Sequence, residues 1–185
     1  MSARLKEQYD KTIKAELIKE LELKNVMQVP VLKKIVVNSG VGEAVKNSAA
    51  IGEMVEVITL ITGQKPLITK SKQAVSGFNL RENLEIGVAV TLRGEKMWQF
   101  FDKIINVVMP RTKDFRGLPD KSFDGVGNYS FGIREHMVFP EIDTNKVQKI
   151  RGLQVTLVIK SRGDEDSRKL LDKFGFPFVK NVNKR

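Results

Sequence analysis

Residues 85–93, EIGVAVTLR, set Ile86, Val88, Val90 and Leu92 on one side and Glu85, Gly87, Ala89, Thr91 and Arg93 on the other. Strict period-two alternation writes a β-strand with one buried and one open face, and such a strand needs neighbouring strands and an apolar cover. The cover is written elsewhere. Leu5, Tyr9, Ile13, Leu17 and Leu21 recur every four residues and predict an amphipathic helix over about residues 3–24. Ile51, Met54, Val55, Ile58 and Ile61 predict a second helix that stops at Thr62-Gly63. Met97, Trp98, Phe101, Ile104, Ile105 and Val108 predict a third, ended by Pro110, with Trp98 in the core. Further strands read from KKIVVNSG, PLIT, YSFGI and LQVTLVIKS. A short helical stretch is expected near Asn145 to Ile150, then a charged helix, DEDSRKLLDKF, and a basic tail, VKNVNKR. Helices and strands mix without regular βαβ alternation, so the expected fold is α+β, a mostly antiparallel sheet backed by helices. At 185 residues the chain is long enough for one well-cored domain, residues 1–185.

The stretch KKIVVNSGVGEAVKNS reads as a strand that breaks at Gly40-Val41-Gly42 before a helical pattern. This resembles the first half of a dinucleotide fingerprint, but Val45 stands where the third glycine belongs and no acidic strand end follows about 20 residues later. The phosphate loop of NTPases is absent too, since Lys46 follows Val45 where a glycine is needed. Without cysteine there are no disulfides, thiolate zinc sites or cysteine nucleophiles, and the single histidine, His136, has no second histidine with which to hold zinc. No G-x-S-x-G elbow ties a serine to it, which leaves a structural or RNA-facing histidine. No catalytic residue, metal or cofactor is expected. The N-terminus lacks a signal-peptide core and no run approaches the ~18 apolar residues of a membrane span, so a cytosolic protein with no membrane partner is expected.

Thirty-two Lys and Arg against 22 Asp and Glu give a formal charge of +10, which favours a polyanionic partner. The segment KSKQAVSGFNLREN, residues 70–83, has no convincing period and reads as a long loop. Residues 64–81 hold Lys65, Lys70, Lys72 and Arg81 without an acidic residue, a composition suited to phosphate contact. Phe78 either offers a ring to an unstacked base or tucks back into the core. The segment 111–128 also reads as irregular. It sets Arg111, Lys113, Arg116 and Lys121 around Phe115 and Phe123 but adds Asp114, Asp120 and Asp124, a mixture that suits a protein partner at least as well as RNA.

Taken together, VVNSGVGEA, ITGQKPLITKSKQAVSGFNLRE, KDFRGL, SFDGVGNYSFGIREHMVFPEI and the closing strand closely resemble the bacterial form of the family of large-subunit ribosomal protein five. The likeness runs from about residue 3 to the last helix and departs from the commonest pattern at Lys113. It implies a non-catalytic constituent of the large ribosomal subunit that holds 5S ribosomal RNA in the central protuberance. On this resemblance Lys33, Lys34, Asn38, Gly40, Gly42, Gln64, Lys65, Thr91 and Arg93 face 5S ribosomal RNA, with the two glycines allowing a tight turn and close backbone approach. Lys72, Gln73, Ser76, Phe78, Asn79 and Arg81 reach P-site transfer RNA. Arg111, Lys113, Phe115 and Arg116 meet small-subunit ribosomal protein thirteen across an intersubunit bridge, and neighbouring large-subunit RNA and proteins complete the set of partners. A nucleotide-dependent enzyme and a general nucleic-acid chaperone are the alternatives from other classes.

Overall fold

The computed structural model describes residues 3–147 and 149–179, so the last six residues of the basic tail lie outside the described residues. Its architecture is the expected α+β arrangement. Five strands, β1 (Val31–Gly40), β2 (Leu67–Lys70), β3 (Glu85–Leu92), β4 (Tyr129–Ile133) and β5 (Leu153–Lys160), form one antiparallel sheet in the order β2-β3-β1-β5-β4. Two compact units share the strands. One comprises Met1–Ile35, Arg93–Phe131 and Thr156–Arg185; the other comprises Val36–Leu92 and Gly132–Val155.

In the first unit, helix α1 (residues 4–20) joins the pieces Arg4–Gln8, Tyr9–Ile13 and Lys14–Glu20, of which the middle one is a π-turn. A four-residue repeat drifts by ~40° per step on a helix of 3.6 residues per turn. The wider π-turn takes up that drift, so Leu5, Tyr9, Ile13 and Leu17 are all buried. The helix ends at Glu20 and not near Lys24, because Glu22 turns left-handed at φ 48° and Leu23 folds its N–H back onto the Ile18 carbonyl. Helix α3 (residues 94–111) runs one residue beyond Pro110. A π-turn over Ile104–Val108 has already displaced the regular ladder bond that proline cannot make. Trp98 is core, as expected: its ring lies 5.9 Å from Tyr9 and 5.6 Å from Phe174. A second group of rings continues this core, with Tyr129 5.6 Å from Phe176 and 5.5 Å from Phe178.

In the second unit, helix α2 (Ala49–Thr62) turns Ile51, Met54, Ile58 and Ile61 inward and packs on β3. Gly63 caps it at φ 63°, as the sequence predicts. β3 buries Val88, Val90 and Leu92 and leaves Ala89 and Thr91 half-exposed on the opposite face, as the sequence alternation expects, but at its start Ile86 is only half-buried and Gly87 is buried. The stretch expected to be helical near 145–150 is a single 3-10 turn, Thr144–Lys146, capped by Asp143.

Candidate nucleic-acid interface

The face of the sheet turned away from α2 is built by period two. On β1, Val37 and Ser39 are buried while Asn38 and Gly40 are exposed, and on β3 Thr91 shares that outward face with Ala89. Gly87 allows the strands to come this close. A Cβ there would stand 2.7 Å from Thr69 Oγ1 and 3.0 Å from the Ser39 carbonyl, so β1, β2 and β3 can have no side chain at that point.

The turn after β1 falls where the sequence placed the break, at Gly40-Val41-Gly42. The strand runs through Gly40, the Val41 N–H donates to the Ile86 carbonyl at 2.8 Å, and a 3-10 turn follows over Gly42–Val45 before α2 opens at Ala49. Neither Gly40 nor Gly42 has a left-handed φ, and no atom lies within 4 Å of where a Cβ would sit at either position. Tight-turn geometry therefore does not require them; both present bare backbone beside open space.

Gln64 is half-buried behind the Gly63 cap, and its Nε2 donates to the Thr91 carbonyl at 3.3 Å, tying the segment after α2 to β3. Lys65 beyond it is exposed. In the second unit Gln64 is thus joined to Thr91, and Asn38 and Gly40 share a groove, with Gly42 in the following turn, whereas Lys65 lines a groove with Val55, Glu56, Thr59 and Leu60 of α2. Lys33, Lys34 and Arg93 belong to the first unit. The β1 alternation slips by one at Lys33-Lys34, so that both lysines avoid the core, Lys33 fully exposed and Lys34 partly. Lys33, Lys34, Lys65 and Arg93 have no carboxylate partner among the described residues, whereas Lys70 sits 3.7 Å from Glu85.

Sequence reasoning missed three neighbours of Asn38 and Gly40. Gly132, Arg134 and Gln154 line a shallow groove of about 410 Å³ with them, and Arg134 and Gln154 are exposed. The alternation of LQVTLVIK could have placed Gln154 on the open face; Arg134, just past the end of β4, had no periodic signal.

The segment 70–83, expected to be a long loop, is one that hydrogen bonds organise. Ser71 is buried, its N–H donates to the Leu84 carbonyl at 2.8 Å, and its Oγ accepts from the Leu84 N–H at 3.1 Å. Farther out, Val75 and Leu80 exchange N–H to carbonyl bonds at 3.0 and 3.1 Å. A 3-10 turn, Ser76–Phe78, closes the tip, and Asn79 follows at φ 53°. The result is a short hairpin-like tongue with no apolar face, which explains why no period betrayed it. Lys72, Gln73, Ser76, Phe78, Asn79 and Arg81 are all exposed. Phe78 does not tuck inward; 74% of it is open at the tip.

In the segment 111–128, Arg111 ends α3, Lys113 and Arg116 are exposed, and Phe115 is half-buried. Phe123 is half-buried, its ring 4.7 Å from the buried Tyr129. The rest is held by backbone bonds. Asp124 accepts from the N–H groups of Val126 and Asn128 and from the Asn128 amide, and these hydrogen bonds, the amide's foremost, hold its carboxyl below the usual range. Asp164 at the start of helix α4 (Asp164–Lys173) accepts from the N–H of Gly125 at 3.1 Å and of Gly127 at 2.7 Å. Gly127 is at φ 96°, and a Cβ on it would meet Ser161 Oγ at 2.1 Å, so this turn admits only glycine.

His136 is buried and structural. The Arg151 N–H donates to its Nδ1 at 3.1 Å, and its own N–H donates to the Arg151 carbonyl at 3.1 Å. The Arg151 side chain bonds Glu43 at 2.7 Å and Glu53 at 3.0 Å, and Lys149 also bonds Glu43. Those bonds, from Lys149 first and then Arg151, hold the Glu43 carboxyl below its ordinary range. The lattice ties the turn after β1 to α2 and to the approach to β5; its members lie far apart in sequence, which left nothing to read in advance.

Surface cations without carboxylate partners, a polar sheet face and turns that present backbone are features suited to a polyanion-binding protein. The chain belongs to the ribosomal protein L5 family: residues 25–81 match the description "Ribosomal protein L5" and residues 85–178 match "ribosomal L5P family C-terminus". It is accordingly a structural, RNA-binding protein of the large ribosomal subunit and not an enzyme. No helix among the described residues is long and apolar enough to cross a membrane.

Proposed function

We propose that the chain anchors 5S ribosomal RNA in the central protuberance through the open sheet face of its second unit. The observation that carries this reading is the outward polar face on which Asn38, Gly40 and Thr91 lie, tied through Gln64 to the segment that carries the exposed Lys65. Lysine and arginine neutralise phosphates, while side chains fixed on strands match one RNA shape. Gly40 and Gly42 admit a ribose or phosphate against the main chain, and Lys33, Lys34 and Arg93 of the first unit add cations. The tongue is the element for P-site transfer RNA, with Phe78 as a stacking platform and Lys72 and Arg81 as phosphate contacts. Arg111, Lys113, Phe115 and Arg116 form the patch for small-subunit ribosomal protein thirteen, where an aromatic ring amid arginine suits a protein contact.

A competition binding assay at moderate salt tests the reading, with labelled 5S ribosomal RNA against excess transfer RNA and unrelated hairpins. Retained 5S complex is the expected result. Equal displacement by every RNA would reduce the interface to charge alone and favour a general nucleic-acid chaperone.

A further inference from the structure

Strands β1, β4 and β5, with the residues that adjoin them, each set a glycine and a polar side chain two positions apart: Asn38 and Gly40, Gly132 and Arg134, Gly152 and Gln154. A spacing of two puts both members of a pair on one face, and all six residues are exposed around the groove of about 410 Å³ within the second unit. Glycine weakens a strand, so its presence on one face of three neighbouring strands calls for a reason. Gly152 has a structural one, since a Cβ there would stand 3.3 Å from the Ile133 carbonyl oxygen. Gly40 and Gly132 do not. Neither has a left-handed φ, and no atom lies within 4 Å of a Cβ placed on either. Turn geometry and crowding inside the fold thus leave these two glycines unexplained, and the remaining reason for a strand glycine is close approach of a ligand.

The polar groups of the groove describe that ligand. Arg134 is the one charged residue that lines it and has no carboxylate partner among the described residues, so the groove favours a single anionic group. The side chains of Asn38 and Gln154 have no hydrogen-bond partner among the described residues, and each amide offers both donor and acceptor, the combination that reads the edge of a base. One cation is too few for the row of phosphates along a duplex. Bare main chain suits a flat group. The floor is fixed in advance: Ser39 Oγ donates to the Gly152 carbonyl at 2.9 Å, and the His136 N–H donates to the Arg151 carbonyl at 3.1 Å, joining the segments that carry Arg134 and Gly152.

We propose that this groove receives one unstacked nucleotide of 5S ribosomal RNA. Its base lies on the main chain at Gly40 and Gly132 and bonds Asn38 and Gln154 by its edge, while its phosphate pairs with Arg134. The proposal rests on the 5S reading above and deepens it, by making Gly132, Arg134 and Gln154 determinants of which RNA the sheet face accepts.

Gly132→Val tests the groove sterically. The new side chain enters open space and valine suits a strand, so the thermal midpoint should hold while the groove is filled. 5S ribosomal RNA is probed by 2′-hydroxyl acylation, free and in complex with each protein. The expected result is a short unpaired stretch that the wild type protects and Gly132→Val leaves reactive, with a several-fold loss of affinity in the variant. Arg134→Ala should lower the slope of log affinity against log salt by about 0.7–0.9, the share of one phosphate, and Gln154→Ala should weaken binding with that slope unchanged. If Gly132→Val lowers the midpoint, Gly40→Ala carries the same test, because its Cβ also meets nothing. A folded glycine variant with wild-type affinity and protection, a change confined to base-paired nucleotides, or an unmoved slope in Arg134→Ala would overturn the proposal. Any of these beside a wild type that keeps 5S RNA in the competition assay leaves the 5S reading standing; a wild type displaced by every RNA removes both.

Discussion

Replacing Lys65 and Arg93 together by alanine gives the sharpest test of how the chain holds RNA. Both side chains are exposed and neither has a carboxylate partner among the described residues, so each is free to replace a condensed counterion. Each phosphate neutralised contributes ~0.7–0.9 to the slope of log affinity against log salt, so the double variant should lose about 1.4–1.8 from that slope. Over a roughly fourfold rise in salt, the wild type then loses about 7- to 12-fold more affinity than the variant, and the gap between the two proteins narrows accordingly. Filter binding or fluorescence anisotropy with 5S ribosomal RNA across a salt series reads the slope directly. Lys173→Met is the control, because Lys173 Nζ already lies 3.0 Å from Glu16 and 3.2 Å from Glu20 and has no counterion to release. An unchanged slope in the double variant, or an equal drop in the control, would refute the assignment.

Three further outcomes follow from the same geometry. Excising residues 72–80 and closing the tongue with two glycines should leave 5S RNA affinity and thermal stability intact while impairing translation by reconstituted ribosomes; a folding defect would mean that the tongue supports the core. Arg151→Met should lower the urea midpoint by the equivalent of about 1–2 kcal/mol, since it removes hydrogen bonds to two partly exposed carboxylates; an unmoved midpoint would show that the lattice is ornamental. Burial pushes the Tyr9 and Tyr129 hydroxyls up to about 12 from an ordinary 10. The neutral ring is the form the fold holds, so stability is fully present below about pH 10 and lost from there to about pH 12, by about 1–3 kcal/mol per ring. An ultraviolet titration that found both tyrosines ionising near pH 10 in the folded protein would contradict this.

The sequence by itself determined what is local and periodic. Ile86 to Leu92 alternate because a strand has a period of two, and Leu5 to Leu17 form a stripe because a helix buries one side; neither pattern needs a partner to be read. The same alternation separated Asn38 and Thr91 from the core before any neighbour was known, and the net charge indicated a polyanion. No periodicity marks Gln64, Lys65 or the tongue residues; the basic composition of residues 64–81 pointed to them, and family likeness gave them their RNA partners.

Tertiary structure decided everything that rests on bonds between distant segments. Ser71 organises the tongue by hydrogen bonds alone, with no apolar face to leave a pattern. Phe78 and Phe123 both lie amid lysine and glycine in the sequence, yet one is solvent-exposed and the other packs on Tyr129, because only the latter follows a segment tied down by the Leu118 N–H to the Pro177 carbonyl. Gly40 and Gly42 looked like turn-makers, but their backbone is ordinary; Gly87, inconspicuous in a strand, is where three strands meet without a side chain. The lattice of Glu43, Glu53, Lys149 and Arg151 exists only because the chain returns to α2 about a hundred residues later. Charge composition sums over the whole chain and cannot report such pairings, which are set by which residues the fold brings face to face.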